Sequence, residues 1–270
     1  MTPLGQQVRL ARIFARGHLF GLAVDHFVSY GQATQGGLAD LPRALSRSMV
    51  GGPDSVTMTA GTAKHCWAPY AGTAALIVEG ASFTPDDRVS EIIATVGDAV
   101  RLGADAIAMA VPVRGPTEGR YLRWLSDTVR EAAPYGLPVI AHIYPRDYTA
   151  EPRIVFHAEQ IAWAVRCGIE CGVDVIKVGY PGDRAAFAEI VRGCPAPIVI
   201  AGGPQTATLQ EALQTVFDAM SAGARGAVVG RNIWGADDVE GASRAFADVI
   251  HEGLDPRAAL QQAGQAYRAP

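Results

Sequence analysis

The chain has 270 residues, 49% of them hydrophobic and 19% charged, and its 23 basic against 27 acidic side chains leave a formal net charge of −4. That balance lacks the basic face that a nucleic-acid or membrane-surface protein needs, and 30 glycines with no period exclude collagen and low-complexity disorder. Only two of the basic residues are lysines, Lys64 and Lys177, so chemistry that needs a side-chain amine has two candidates.

The chain is long enough to bury a core without disulfides, and Cys66, Cys167, Cys171 and Cys194 lack the paired spacing of a structural zinc site. The first 16 residues carry three arginines and no apolar stretch of the length a secretory leader needs. No uninterrupted apolar run approaches the ~18 residues of a membrane span. These features predict one domain over residues 1–270, cytoplasmic, with no membrane or nucleic-acid partner.

In chain order, residues 5–16 read as a helix preceding the first strand. Short apolar runs follow at 19–24, 55–59, 74–78, 106–110, 138–143, 173–178, 197–201 and 226–229. Most lack alternation, as strands buried on both faces do. Between them, apolar spacings of three and four predict helices over 87–102, 118–133, 155–167, 185–191 and 208–220, with exits at Gly103, Gly168 and Gly223. Two further helices are expected over 239–250 and 256–266. Eight strands alternating with helices in a chain of this size predict an α/β fold, a single (β/α)8 TIM barrel with an extra N-terminal helix and additional C-terminal helices.

Chemistry in such a barrel lies at the C-terminal ends of the strands. Lys177 stands inside the apolar run at 173–178, where desolvation disfavours an ammonium. A neutral amine attacks a ketone and forms a Schiff base. The ordinary alternative is a lysine paired with a strand-end carboxylate, and the scarcity of lysine in this chain favours the catalytic role. Lys64, in the first turn of a helix after the second strand, reads as a solvated or ligand-edge lysine. Asp25 and Tyr144, at the ends of the first and fifth strands, are candidate proton carriers, and His26 and His142 either orient them or fill the mouth. Gly202, Gly203, Gly230 and Arg231 end the last two strands, the usual phosphate-binding position of this architecture.

The stretches that carry these residues also carry a resemblance. They are Val24-Asp25-His26 with Gly37-Leu38-Ala39-Asp40, Leu102-Gly103-Ala104-Asp105-Ala106, and Tyr144-Pro145-Arg146. Further along come Lys177-Val178-Gly179-Tyr180-Pro181-Gly182-Asp183, Gly202-Gly203-Pro204-Gln205-Thr206 and Val229-Gly230-Arg231-Asn232-Ile233-Trp234. As an ordered set the sequence resembles the archaeal-type class I aldolases of the DeoC/LacD-like superfamily, which group fructose-bisphosphate aldolases with aminodideoxyheptulosonate synthases. The segments 82–88 and 110–118 look closer to the heptulosonate-synthase branch.

The resemblance implies Lys177 as the Schiff-base lysine, Tyr144 and Asp25 as acid/base groups, and the last two glycine turns as a phosphate site. It implies a phosphorylated keto donor of the dihydroxyacetone-phosphate kind, an aldehyde acceptor, no cofactor or metal, and a ring-based homo-oligomer such as a decamer. Phe27, Ala201, Asp147 and Glu79 depart from the family's pattern. Phe27 narrows the mouth beside Asp25, and the Glu79 carboxylate opposes a second phosphate, which argues against a bisphosphorylated sugar.

Two other readings compete with the Schiff-base aldolase or transaldolase. One is metal-assisted aldol or isomerase chemistry using Asp25, His26, His65, Cys66 and His142. The other is a non-catalytic barrel that only binds a phosphorylated ligand.

Overall fold

The computed structural model describes residues 3–26, 37–86 and 88–267. Phe27 and Asp87 lie outside the described residues. The barrel strands are β1 Leu19–Ala23, β2 Ser55–Thr59, β3 Ala75–Glu79, β4 Ala106–Val113, β5 Val139–Asp147, β6 Val175–Val178, β7 Ile198–Ala201 and β8 Gly226–Val229. Each pairs in parallel with the next, and β8 pairs with β1 through Leu19↔Gly226 to Leu22↔Val229. The ring is therefore closed, the (β/α)8 architecture that the strand count implied.

Successive side chains on a strand point to opposite faces, and here both faces are apolar. The outward positions include Phe20, Leu22, Val56, Met58, Leu76, Val78, Ile107 and Met109, which pack against the helices. The inward positions are Leu19 and Ala23 on β1, Ala75 and Ile77 on β3, Ala106 and Ala108 on β4, Ile140 on β5, Val175 on β6, Val199 on β7 and Val228 on β8. Neither hydropathy nor volume alternates throughout: Ala141 and Ala227 face outward while Ile140 and Val228 face inward.

The N-terminal helix α1, Leu4–Ile13, closes the bottom of the barrel, with Ile13 fully buried against the inward residues. Three aspartates, each one residue ahead of a strand, bolt it there. Asp54 accepts from the Phe20 N–H at 2.7 Å and from Arg16 at 3.0 Å. Asp105 accepts from the Leu76 N–H at 3.2 Å and from Arg12 at 3.0 Å. Asp174 accepts from the Val139 N–H at 2.8 Å and from the Gln6 amide. Each carboxylate accepts from an N–H at the start of a neighbouring strand and ties to it a side chain of α1 or, for Arg16, of the segment just after α1. Asp54 additionally meets His251 Nε2 at 3.0 Å, which anchors the C-terminal segment to the same point. Asp54→Ala strands the buried Phe20 N–H and takes the carboxylate from Arg16 and His251, so it should lower stability by about 3–5 kcal/mol. Urea unfolding at neutral pH measures this.

Several expected helices differ. The extra N-terminal helix ends at Ile13, short of residue 16. Residues 87–102 do not form one helix. Ala81–Phe83 and Ser90–Ile92 pair as an antiparallel hairpin, and the helix spans only Val96–Arg101. A reciprocal cap between Thr95 and Asp98 starts it, which outweighs the apolar spacing upstream and leaves Ile92 and Ile93 exposed.

The helix expected over 155–167 runs from Ala158 to Cys171. Its upstream residues are extended because Arg153–Ile154 pair with the end of β5 and Phe156 packs onto Gly179. Gly168 is not an exit. A Cβ there would come within about 3 Å of Ile143 and Ile176, so this glycine lets the helix approach the sheet, and Gly172 at φ 80° ends it. The segment expected as a helix over 239–250 is α-helical over Val239–Ala247 and continues as a π-helical turn over Asp248–Glu252. Among the described residues, no helix is long and apolar enough to cross a membrane.

Candidate active site

The inward positions change character toward the C-terminal end of the barrel. Two residues above Ile77, Ile140 and Val175 stand Glu79, His142 and Lys177, and two residues above Ala23 stands Asp25. Strand register sets Ala110, His142, Lys177 and Val199 side by side across four neighbouring strands. Lys177 is 4% exposed, Glu79 3% and His142 2%. Period two therefore delivers an amine, an imidazole and two carboxylates onto the same inner wall.

Burial determines much of their electrostatics. Desolvation lowers the Lys177 pKa below its usual value, against the opposing pull of Asp25 and Glu79. Desolvation likewise lowers His142, and the nearby Lys177 charge adds to the effect despite Glu79. For Asp25, burial pushes upward but is outweighed by the hydrogen bond and charge of His26 with the charges of Lys177 and His142. Its carboxyl lies well below the ordinary range. His26 Nδ1 is 3.2 Å from Asp25 Oδ1, and its ring meets Trp234 edge-on at 5.6 Å. Trp234 Nε1 donates to the Ala23 carbonyl at 2.9 Å, fixing this corner to β1.

Glu79 is held from three sides. Its Oε1 accepts from the Ala81 and Ala110 N–H groups, each at 3.1 Å, and its Oε2 is 2.8 Å from His142 Nδ1. Tyr144, two residues beyond His142, packs its ring on Phe83 at 4.9 Å. Arg146 lies over the same phenylalanine at 5.5 Å and donates to the Thr84 carbonyl at 2.7 Å. The hairpin that replaced the expected helix thus supplies the surface that holds Tyr144.

Two cavities meet at Lys177. The larger, about 200 Å³, is lined by Ala23, His26, Tyr144, Lys177 and the loops at 201–204 and 230–231, with Ile154 and Phe156 on its outer side. The smaller, about 30 Å³, is enclosed by Asp25, His26, Glu79, Ala81, Phe83, Ala110, His142, Tyr144 and Lys177. Space of that size holds a water or a small polar group. Lys177, Tyr144 and His26 border both.

The glycine turns are shaped by contacts that exclude a side chain. A Cβ on Gly230 would lie 2.7 Å from the His26 ring and 2.8 Å from the Ala23 carbonyl, and Gly203 has φ +70°. The Gly202 N–H donates to the Val228 carbonyl at 2.9 Å, and a Cβ there would lie 3.0 Å from Val229 Cα, so this glycine lets the loop lie close against β8 and offers no free donor. Arg231 Nη2 donates to the Gly203 carbonyl at 3.0 Å. Asn232 joins the loops by accepting from the Thr206 N–H at 3.0 Å and donating to the Gly202 and Pro204 carbonyls at 3.0 and 3.1 Å.

The structure brings Lys177, Tyr144, Asp25, His26 and His142 together, with Gly202, Gly203, Gly230 and Arg231 on one side of them. His142 borders the smaller cavity and not the glycine-loop cavity. Lys64 and His65 are exposed on the helix Ala60–Cys66. Among the described residues, the set whose donor atoms converge to suit a cation is Asp25, Glu79 and His142, within 4.8 Å of one another, rather than one with His65 or Cys66. The sequence places Glu79 at the mouth only as a charge opposing a second phosphate, not as a partner of His142, and it does not point to Asn232 or Phe83. Glu79 has a readable signal, its place in phase with Ile77, whereas the roles of Asn232 and Phe83 depend on distant loops.

The DeoC/LacD family aldolase model matches residues 20–236. A 2-amino-3,7-dideoxy-D-threo-hept-6-ulosonate synthase of Halobacterium salinarum is 35% identical over 98% of each chain. A 2-amino-4,5-dihydroxy-6-oxo-7-(phosphonooxy)heptanoate synthase of Streptomyces griseus is 28% identical over 99% of this chain and 98% of its own. An archaeal fructose-1,6-bisphosphate aldolase, solved with its catalytic lysine bound to the carbinolamine of the substrate, superposes with a TM-score of 0.81. It is 30% identical, and the match covers 91% of this chain and 99% of that one.

Proposed function

The chain belongs to the DeoC/LacD aldolase family and is an enzyme of the lysine Schiff-base, class I kind, and from that premise we propose that Lys177 is its nucleophile, joining a phosphorylated keto donor to an aldehyde. The observation that carries this reading is an amine 4% exposed, inside the barrel, at the junction of two cavities. Burial there favours the neutral, nucleophilic form. In synthesis, Lys177 Nζ adds to the donor carbonyl, and loss of water leaves a protonated imine. Loss of a proton from the adjacent carbon gives an enamine, which attacks the aldehyde carbon. The new alkoxide takes a proton, and water releases the product from Lys177. Cleavage runs the same steps backward.

Tyr144 borders both cavities, which suits it to carry the proton between the donor carbon and the new hydroxyl. Asp25, whose carboxyl lies well below the ordinary range beside His26, steadies the positive charge of the imine. The donor phosphate sits in the larger cavity, against the Gly203 and Gly230 turns and near Arg231. The acceptor approaches from the side of Asp25 and Glu79. Two carboxylates there disfavour an anionic group close to the aldehyde and suit a neutral or ammonium-bearing one.

A panel assay tests this. Dihydroxyacetone phosphate is offered with neutral, ammonium-bearing and phosphate-bearing aldehydes, and carbon–carbon bond formation is followed. Neutral or ammonium-bearing acceptors should turn over at least about tenfold faster than phosphate-bearing ones, a discrimination of about 1.4 kcal/mol. Equal rates, or preference for the phosphate-bearing acceptor, would refute the acceptor assignment. Dialysis against EDTA should leave the rate unchanged, because the imine itself withdraws the electrons. Loss of activity that returning a divalent cation restores would favour metal-assisted chemistry at Asp25, Glu79 and His142.

The proposal includes self-association. Val89, Ile92 and Ile93 on the hairpin and Leu4 and Val8 on α1 are exposed apolar side chains that such contacts would cover. Sedimentation of a single monomeric species at micromolar concentration would refute it.

A further inference from the structure

One pair in the smaller cavity has no part in the steps above. Wherever Lys177 meets the donor as an ammonium it must shed a proton before it attacks, and the hydroxyl of its first adduct must gain one before leaving as water. His142 is placed for both transfers. Register sets it directly beside Lys177 on the neighbouring strand, with both side chains turned inward.

Glu79 determines which nitrogen of His142 is basic. A carboxylate only accepts, and Glu79 faces three donors. These are the Ala81 and Ala110 N–H groups at 3.1 Å each and His142 Nδ1 at 2.8 Å. Nδ1 therefore carries the proton, and Nε2 is the acceptor of the neutral ring. Ala110 between them is small enough to let the two side chains meet.

We propose that His142 is a further catalytic residue, the proton acceptor and donor for imine formation at Lys177, and that Glu79 is its positioning residue. The inference rests on the assignment of Lys177 as nucleophile. The ammonium of Lys177 gives one proton to His142 Nε2. The free amine adds to the carbonyl, forming the N–C bond, and a second nitrogen proton passes to the oxygen to give the neutral carbinolamine. The C–O bond then breaks and the oxygen leaves as water with the proton returned from His142. A protonated imine remains, and the net charge is constant throughout.

The groups facing His142 allow this. Asp25 and His26 lie at the end of β1, Glu79 on β3 and Lys177 on β6, while β4 contributes the uncharged Ala110. Tyr144 follows on the same strand, and Arg146 beyond it donates to the Thr84 carbonyl. Burial keeps the His142 ring neutral until a proton arrives. Asp25 is the weaker base, since its contact with His26 holds its carboxyl well below the ordinary range.

Imine formation is followed directly by mixing with dihydroxyacetone phosphate, quenching at intervals with borohydride and measuring the adduct at Lys177 by mass. His142→Asn should slow adduct formation about 10²-fold at pH 7 and recover toward the parental rate as pH rises and the amine loses its proton unaided. Glu79→Gln, which keeps the side chain's shape, should slow it about tenfold with the same pH trend. If His142→Asn does not fold, Glu79→Gln decides alone. Folded variants that form the adduct at the parental rate with the parental pH profile would overturn the role of His142. Failure of the parent to form any adduct would instead remove the Lys177 assignment beneath it.

Discussion

Replacing Lys177 by alanine should lower turnover by about 10⁴-fold or more and abolish borohydride trapping, because among the described residues no other lysine borders the cavity. Lys64 is exposed on the helix Ala60–Cys66 and cannot substitute for it. Arginine at 177 should be equally inactive, since a guanidinium stays protonated and forms no imine. The same position carries a stability cost. Burial lowers the Lys177 pKa below its unfolded value, so between those two values the unfolded chain binds more protons, and stability rises with pH across that window. Lys177→Met removes a titrating group from the interior at similar length. It should therefore be inactive yet at least as stable to urea at pH 7 as the parent. An active Lys177→Ala or Lys177→Met enzyme would contradict the assignment outright.

Tyr144→Phe carries the second largest expected effect, a fall in kcat of about 10²–10⁴-fold, the usual contribution of a positioned proton carrier. The ring contact with Phe83, itself backed by Arg146, does not depend on the hydroxyl. The variant should fold normally, and it should still accumulate an imine at Lys177 with the keto donor. Loss would then be confined to carbon–carbon bond making and breaking, visible as a normal adduct mass with slow product formation. If adduct and product fall together, Tyr144 acts in imine formation, and the division of labour with His142 fails.

Much of this site was legible because its chemistry is carried by rare residue types at fixed strand positions. Lys177 stands out in a chain that otherwise uses arginine, and an arginine cannot do an amine's chemistry. The eight strands were legible as apolar runs, but their in-and-out phase was not. Ile77, Ile140 and Val228 face inward while Leu76, Val139, Ala141 and Ala227 face outward, so neither polarity nor volume marks the phase along the sequence.

The hairpin at Ala81–Phe83 and Ser90–Ile92 was missed because Val89, Ile92, Ile93 and Val96 imitate a helical stripe. The Thr95–Asp98 cap was the local signal against that reading. Gly168 was mistaken for a helix exit because its true role, making room for Ile143 and Ile176, exists only once helix and sheet meet. Asn232 is of the same kind, since its partners Gly202, Pro204 and Thr206 come from the preceding loop.

The central claim is that a buried amine at position 177 bonds covalently to a keto donor. Borohydride reduction in the presence of dihydroxyacetone phosphate, followed by intact mass and peptide mapping, tests it most directly. The account predicts one added donor per chain, located on Lys177, and none when borohydride or donor is omitted. A catalytically active chain that gains no mass, or that gains it on Lys64, would contradict it.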